Sequence, residues 1–166
     1  RTPANAARIA YLANLPDRWR NADPFLKQNG GSWTDHYFDL EQLTWAGLDV
    51  RALPSLRIDF ALQFAAARAA HLDKFPVIDP VKNVDHTQEW LGFAPWAITE
   101  CYHRLRSAFG ALKAFEDLGG TPEEIANAQA DAVQAMGVMG HFIGDCSQPL
   151  HTTIHHNGWV GANPQG

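Results

Sequence analysis

The tetrapeptide Thr121-Pro122-Glu123-Glu124 constrains the fold of this chain more than any other stretch. Thr is a preferred N-cap, and Pro suits the first helical turn, where its missing N–H is not needed. Glu at the third helical position completes a capping box. The box predicts a helix from Pro122 to about Asp145. Pro149 breaks it, because proline removes a donor and clashes with the preceding turn. Directly before the box, Gly119-Gly120 ends another long helix. That helix begins at Thr87 or at Pro95 and runs to Leu118, with Ile98, Leu105, Phe109, Leu112 and Phe115 as its apolar stripe.

The remaining elements follow the same period. Ala4 to Leu15 is an alanine-rich helix with Ile9, Leu12 and Ala13 on one side, and Pro16 stops or bends it. Asn29-Gly30-Gly31-Ser32 is a loop by composition. Leu56 to His71 is a helix with Phe60, Phe64 and Ala67 in register and Pro54 near its start. Phe75 to Asp85, with Pro76 and Pro80, is a connection, and Thr152 to Gly166 lacks helical period. No useful alternation of apolar and polar residues occurs, so the expected class is all-α, a single helical domain over residues 1–166.

Net charge is −5, so no broad basic surface advertises duplex nucleic acid or acidic lipid. A phosphate-bearing substrate stays possible where a bound metal ion supplies the positive charge. No apolar run is long enough to span a bilayer. The chain has neither an initiator Met nor a signal-peptide pattern, and is expected to be processed, cut or partly represented. Cys101 and Cys146 form no disulfide framework.

The chemistry concentrates in His141-Phe142-Ile143-Gly144-Asp145-Cys146-Ser147-Gln148-Pro149-Leu150-His151. His141 and Asp145 share a helix face at i and i+4. His151 follows the helix break and arrives from another direction. Imidazole and carboxylate suit zinc, and a closed site needs ligands from more than one segment. Further donors stand in Asp35-His36-Tyr37-Phe38-Asp39 and in Leu15-Pro16-Asp17-Arg18-Trp19-Arg20.

With these three segments in order, the chain resembles the superfamily of zinc-dependent phospholipase C and the fungal-type single-strand-specific nucleases and 3′-nucleotidases. The family signature, His-x3-Asp then Gln-Pro-x-His, is matched from His141 to His151. His36-Tyr37-Phe38-Asp39 and Asp17-Arg18-Trp19-Arg20 match its weaker upstream segments. The resemblance implies an all-α domain holding up to three zinc ions. It implies that His36, His141 and Asp145 hold one zinc, with Asp17 as a further carboxylate ligand or a general base and Asp23 as its rival. Asp145 would bridge to another zinc, and His151 would start a third site. It also implies a secreted or periplasmic hydrolase of phosphate esters.

Two departures stand out. The family uses its N-terminal amino group and a nearby His; here no His precedes His36, and Arg1 stands where Trp is expected. The family also places a second His, then an acid one turn later, after the Gln-Pro-x-His residue. This chain ends at Pro164-Gln165-Gly166. The expectation is a domain lacking both ends of the cluster, for which the adjacent His155 and His156 are poor substitutes.

Zinc brings bound water towards ionisation near neutral pH, and a rim carboxylate such as Asp17 could orient or deprotonate that water. Tyr37 could stack on a nucleobase or line a lipid pocket. The nuclease reading draws on Gln148-Pro149-Leu150-His151 and Asp17 to Arg20. The phospholipase reading draws on His36 to Asp39, on Asn157 and on Pro164-Gln165-Gly166. The alternative is a non-catalytic zinc-binding helical domain. Plainer roles compete at each position. His141 and Asp145 make an ordinary intrahelical pair, His36 contacts Asp35 or Asp39, Asp17 caps or pairs with Arg20, and Tyr37 packs. His71, His86 and His103 are not expected to be ligands, and the six tryptophans are expected in the core.

Overall fold

The computed structural model describes residues 2–22, 33–159 and 161. Asp23, the Asn29 to Ser32 loop, Arg1 and Pro164-Gln165-Gly166 lie outside the described residues. Among the described residues six α-helices carry the fold: α1 Pro3–Leu12, α2 Leu15–Ala22, α3 Leu40–Ala46, α4 Arg57–Ala70, α5 Ala94–Leu118 and α6 Pro122–Cys146. Short 3₁₀ turns lie between them, including Trp33–His36 and Pro149–His151. Among the described residues there is no strand, so the class is all-α.

α5 and α6 form a hairpin, each about 37 Å long at 1.5 Å per residue. The Thr121 box closes as expected: the Thr121 hydroxyl accepts from Glu124 N (3.2 Å), and the Glu124 carboxylate accepts from Thr121 N (2.8 Å). α5 starts at Ala94, which settles its origin near Pro95. Its expected stripe is only partly covered. Phe109 stays 49 % exposed, and the buried positions cluster at the other end, at Trp96, Ala97 and Cys101. The reason is geometric: the half of α5 near Gly119 has α6 as its main neighbour, so one side of the stripe faces water.

Pro16 does not stop a helix. α1 already ends at Leu12, and Pro16 sits buried in the first turn of a new helix, α2. That position tolerates proline because the first N–H groups have no intrahelical acceptor. α3 has no counterpart among the expected helices. It is short, and its left-handed Gly47 cap closes it after seven residues.

The main core lies among α3, α4, the start of α5 and the 75–93 connection. Phe38, Phe60, Phe64, Phe75, Phe93 and Trp96 are all buried there. Phe60 stacks on Trp96 with ring centroids 3.9 Å apart. Only Trp96 among the tryptophans is fully buried; Trp19 and Trp159 are exposed, and Trp33, Trp45 and Trp90 are half-buried. A second apolar cluster, Ala97, Cys101, Val138 and Phe142, joins α5 to α6. Both cysteines are free thiols.

Two glycines permit the approaches that bring the polar residues together. A Cβ on Gly137 of α6 would stand 2.4 Å from Leu12 Cβ, so only glycine lets α1 lie this close. Gly92 has φ +102°, and a Cβ there would stand 2.0 Å from the Tyr37 carbonyl oxygen. The 91–94 segment therefore docks on residues 34–39, with Phe93 N bonding Thr34 O (2.6 Å) and Asp39 N bonding Leu91 O (2.7 Å).

Candidate metal centre and its cleft

His36 comes to the site on the Trp33–His36 turn, which a half-buried ion network holds in place. The Arg57 guanidinium, on α4, forks to both Glu100 oxygens on α5 (2.8 and 3.0 Å) and to Asp35. Fork geometry fixes direction as well as distance, so Asp35 and its neighbour His36 are set by two helices. His36 is 2 % exposed, wedged edge-on to His141 and Phe142.

His141 and Asp145 leave the last two turns of α6 on one face. His36 Nδ1 lies 3.0 Å from Asp145 Oδ2 and 2.9 Å from His141 Nε2. His141 Nε2 lies 3.2 Å from the same Asp145 oxygen. Asp17, on α2, places Oδ1 3.9 Å from His36 Nδ1. The ligand atoms of Asp17, His36 and His141 all lie within 4.8 Å of one another. Asp145 is outside that triplet, yet it is the nearest carboxylate to both imidazoles, at 3.0 and 3.2 Å, and belongs to the cluster on those distances. Ligand atoms on a tetrahedral zinc with bonds near 2.1 Å stand about 3.4 Å apart. The observed spacings bracket that value.

The hydrogen positions in this cluster follow from the partners of each ring nitrogen. His141 Nδ1 stands 2.7 Å from the Ala13 carbonyl, which only accepts, so Nδ1 carries a hydrogen. Neutral His141 then offers a bare Nε2 to His36 and Asp145. His36 Nδ1–H can serve Asp145, but the His141–Asp145 contact pairs two acceptors. Only a proton or a metal ion between them removes the repulsion. Burial alone would lower the His141 pKa, but the Asp145 hydrogen bond and charge outweigh it and hold it above its ordinary value. Burial would likewise raise Asp145, and the hydrogen bonds from His141 and His36 reverse this, holding its carboxyl far below the usual carboxylate range. Both shifts favour a protonated imidazole beside an ionised carboxylate.

His151 completes a second direction. Its Nδ1–H donates to the His36 carbonyl (2.9 Å), leaving Nε2 as the free lone pair. The same Nδ1 lies 3.9 Å from Asp145 Oδ1. Asp145 thus turns one oxygen to His36 and His141 and the other towards His151. The segment carrying His151 is strapped across residues 38–41. Phe38 N bonds His151 O (2.9 Å), Leu40 N bonds Thr152 O (3.2 Å), and Glu41 accepts from Thr153 and from Ile154 N.

Both His141 and His151 donate their outer N–H to a backbone carbonyl, the usual orienting device of ligating histidines. His36 departs from that rule. Its Nε2 is buried with no hydrogen-bond partner. An ion on Nδ1 would move the hydrogen to Nε2, at a cost of about 1–3 kcal/mol that the ion must offset.

Beside the cluster opens a cleft of about 690 Å³. His36, His151, Gln148 and Arg20 belong to its lining near the cluster, and Trp33, Tyr37, Trp45 and Trp90 supply aromatic walls. Tyr37 lines the cleft while its hydroxyl donates to the Thr87 carbonyl (3.2 Å), so the ring is held and the oxygen is committed. Arg20 pairs with Asp17 at 2.8 Å and lies over the Trp33 ring. His155 stacks on Trp159, and His156 lines the cleft. His71, His86 and His103 are not in the cluster. Sequence reasoning foresaw the Asp17–Arg20 pair but missed the Ala13 carbonyl, Glu41 and the cleft itself. None of these three left a signal in residue spacing, whereas the pair did, Arg20 standing at i+3 from Asp17.

Comparison with protein-family models, with curated proteins and with solved structures found no match to this chain.

Proposed function

We propose that this chain is a zinc-dependent phosphoesterase domain of the phospholipase C and single-strand nuclease type, working as a secreted or periplasmic hydrolase. The observation that carries the reading is the meeting of lone pairs from Asp17, His36, His141 and Asp145 on three separate elements. Its tautomer pattern supports it, because a cation resolves the acceptor–acceptor contact. The aromatic cleft supports it too, since a substrate must reach the cluster from solvent.

In hydrolysis a water oxygen bonds to phosphorus, the ester P–O bond breaks and the leaving oxygen takes a proton. Bound zinc would supply Lewis acidity, favouring ionisation of the water and balancing phosphoryl charge. The residues have distinct parts. Asp145 holds charge between the His36/His141 side and the His151 side. His141, fixed by Ala13, presents Nε2 without rotameric freedom. Asp17 is 43 % exposed and held by Arg20, so it can receive the proton of the attacking water at the rim. Arg20 brings a guanidinium to the cleft wall, where phosphoryl oxygens carry charge.

The test is turnover by zinc-loaded protein of a 3′-nucleotide, single-stranded DNA and phosphatidylcholine. Hydrolysis that chelation abolishes and zinc restores is expected for one of the three. No turnover of any, at full zinc content, sinks the enzyme reading.

One observation favours a second reading, a non-catalytic zinc staple. The cluster joins α2, the 33–36 turn and α6, so an ion there would cross-link distant parts of the chain. A zinc-dependent rise in melting temperature without turnover, at one ion per chain, is its signature.

A further inference from the structure

We propose that Glu41 is a positioning residue for the candidate site: its carboxylate latches the chain that returns from α6 onto α3 and so keeps His151 beside the cluster. This deepens the phosphoesterase reading and rests on it only for the ion that His151 would meet.

Packing does little to hold the returning chain. No residue from Ser147 to Trp159 is buried, and the Pro149–His151 turn is three residues long. A segment with so few buried contacts opens locally at low cost unless polar contacts pin it. Three such contacts do not involve the side chain at position 41. His151 Nδ1–H donates to the His36 carbonyl (2.9 Å), Phe38 N–H to His151 O (2.9 Å) and Leu40 N–H to Thr152 O (3.2 Å).

Past Thr152 a side chain takes over. Glu41 stands in the first turn of α3 and is half-buried. Its Oε1 accepts from the Thr153 hydroxyl and its Oε2 from Ile154 N–H (3.2 Å), 112 and 113 positions away. The Thr153 hydroxyl oxygen accepts in turn from His155 N–H (3.2 Å). Burial would raise the Glu41 pKa, but these hydrogen bonds, its own N–H and the nearby His155 reverse that and hold it below its ordinary value. Glu41 is therefore an ionised acceptor, and hydrogen bonds to an ion are roughly twice as strong as neutral ones.

The latch begins two residues after His151. Ile154 at the latch, and His156 and Asn157 just beyond it, line the cleft. Releasing it loosens His151 on one side and that wall on the other. His141 and the Trp33–His36 turn keep their own supports, the Ala13 carbonyl and Arg57.

The test compares Glu41→Ala and Glu41→Gln with the wild-type protein. Without metal, the Ile154 amide of Glu41→Ala should exchange hydrogen at least about tenfold faster, and the amides of α6 should be unchanged. Zinc is then titrated while the ring resonances of His36, His141 and His151 are followed. In Glu41→Ala the His151 ring should need at least about tenfold more zinc to respond. The midpoint for His36 and His141 should stay within about twofold. Glu41→Gln keeps the shape and one acceptor oxygen and should recover part of the loss. A His151 response in Glu41→Ala at the wild-type zinc concentration overturns the proposal. Equal weakening at all three rings overturns it too, because that marks a general loosening of the fold. If zinc moves His36 and His141 of the wild type but never His151, the cluster stands and the positioning role falls. If zinc moves none of the wild-type rings, both fall.

Discussion

The α5–α6 hairpin is built differently at its two ends. Towards Gly119 its stabilising contacts are local: the Thr121–Glu124 box and the exposed Lys113–Asp117 pair, with Phe109 and Leu118 facing water. Towards Ala94 and Cys146 most apolar side chains are buried, Trp96, Cys101, Val138 and Phe142 among them, and the polar ones reach far along the chain. His141 bonds Ala13, and His36 bonds Asp145, across 128 and 109 positions. A helix pair can therefore be secured at its tip by near neighbours while its base serves as a platform for side chains from elsewhere. The base carries both the packing energy and the geometry of the candidate site.

Truncating the base should cost most. Phe60→Ala removes a fully buried ring stacked on Trp96 and should destabilise by about 3–5 kcal/mol in denaturant melts. Phe109→Ala, on the exposed half of α5, should stay within about 0.5 kcal/mol. Equal losses would erase the contrast between the ends.

A pH effect belongs to the base as well. Burial, partly offset by the Gln42 hydrogen bond, pushes the Asp39 carboxyl up from 3.8 to about 6. The folded state thus holds this proton more tightly than the unfolded chain. Its contribution is fully present below about pH 4 and declines as pH rises to about 6, by at most about 3 kcal/mol. Asp39→Asn should flatten that part of the stability–pH curve.

Gly137→Ala should cost about 1–3 kcal/mol, because the new methyl meets Leu12 and pushes α1 away. It should also loosen His141 from the Ala13 carbonyl, visible as a change in the His141 ring resonances. Smallest is the tip: Thr121→Ala removes a cap worth about 1 kcal/mol. Lys113→Ala should be nearly silent, since its ion pair is exposed.

The same contrast explains what was legible in the sequence. Thr121, Pro122 and Glu124 specify their helix through bonds to one another, and Phe60 and Phe64 announce a buried face by spacing alone. His141 and Asp145 could be paired because a helix of known start puts them one turn apart. The partners of that pair could not be read from spacing. Whether His36 meets Asp145 depends on Arg57 gripping Asp35, on Gly92 passing Tyr37 and on Glu41 tying down Thr153. Each of these joins residues with no fixed offset. Pro16 misled for a related reason: the same proline ends one helix or opens the next, and only the chain direction after Leu12 decides. Phe109 misled because helical period marks an apolar face without saying whether anything covers it.

The most direct measurement is anomalous diffraction at the zinc edge from crystals grown with excess zinc. Zinc binding at this cluster predicts a peak in coordination contact with His36 Nδ1, His141 Nε2 and the Asp145 carboxylate, lost in Asp145→Asn. A folded protein with no peak there, and the His36 and His141 rings still in direct contact at full zinc, would contradict it.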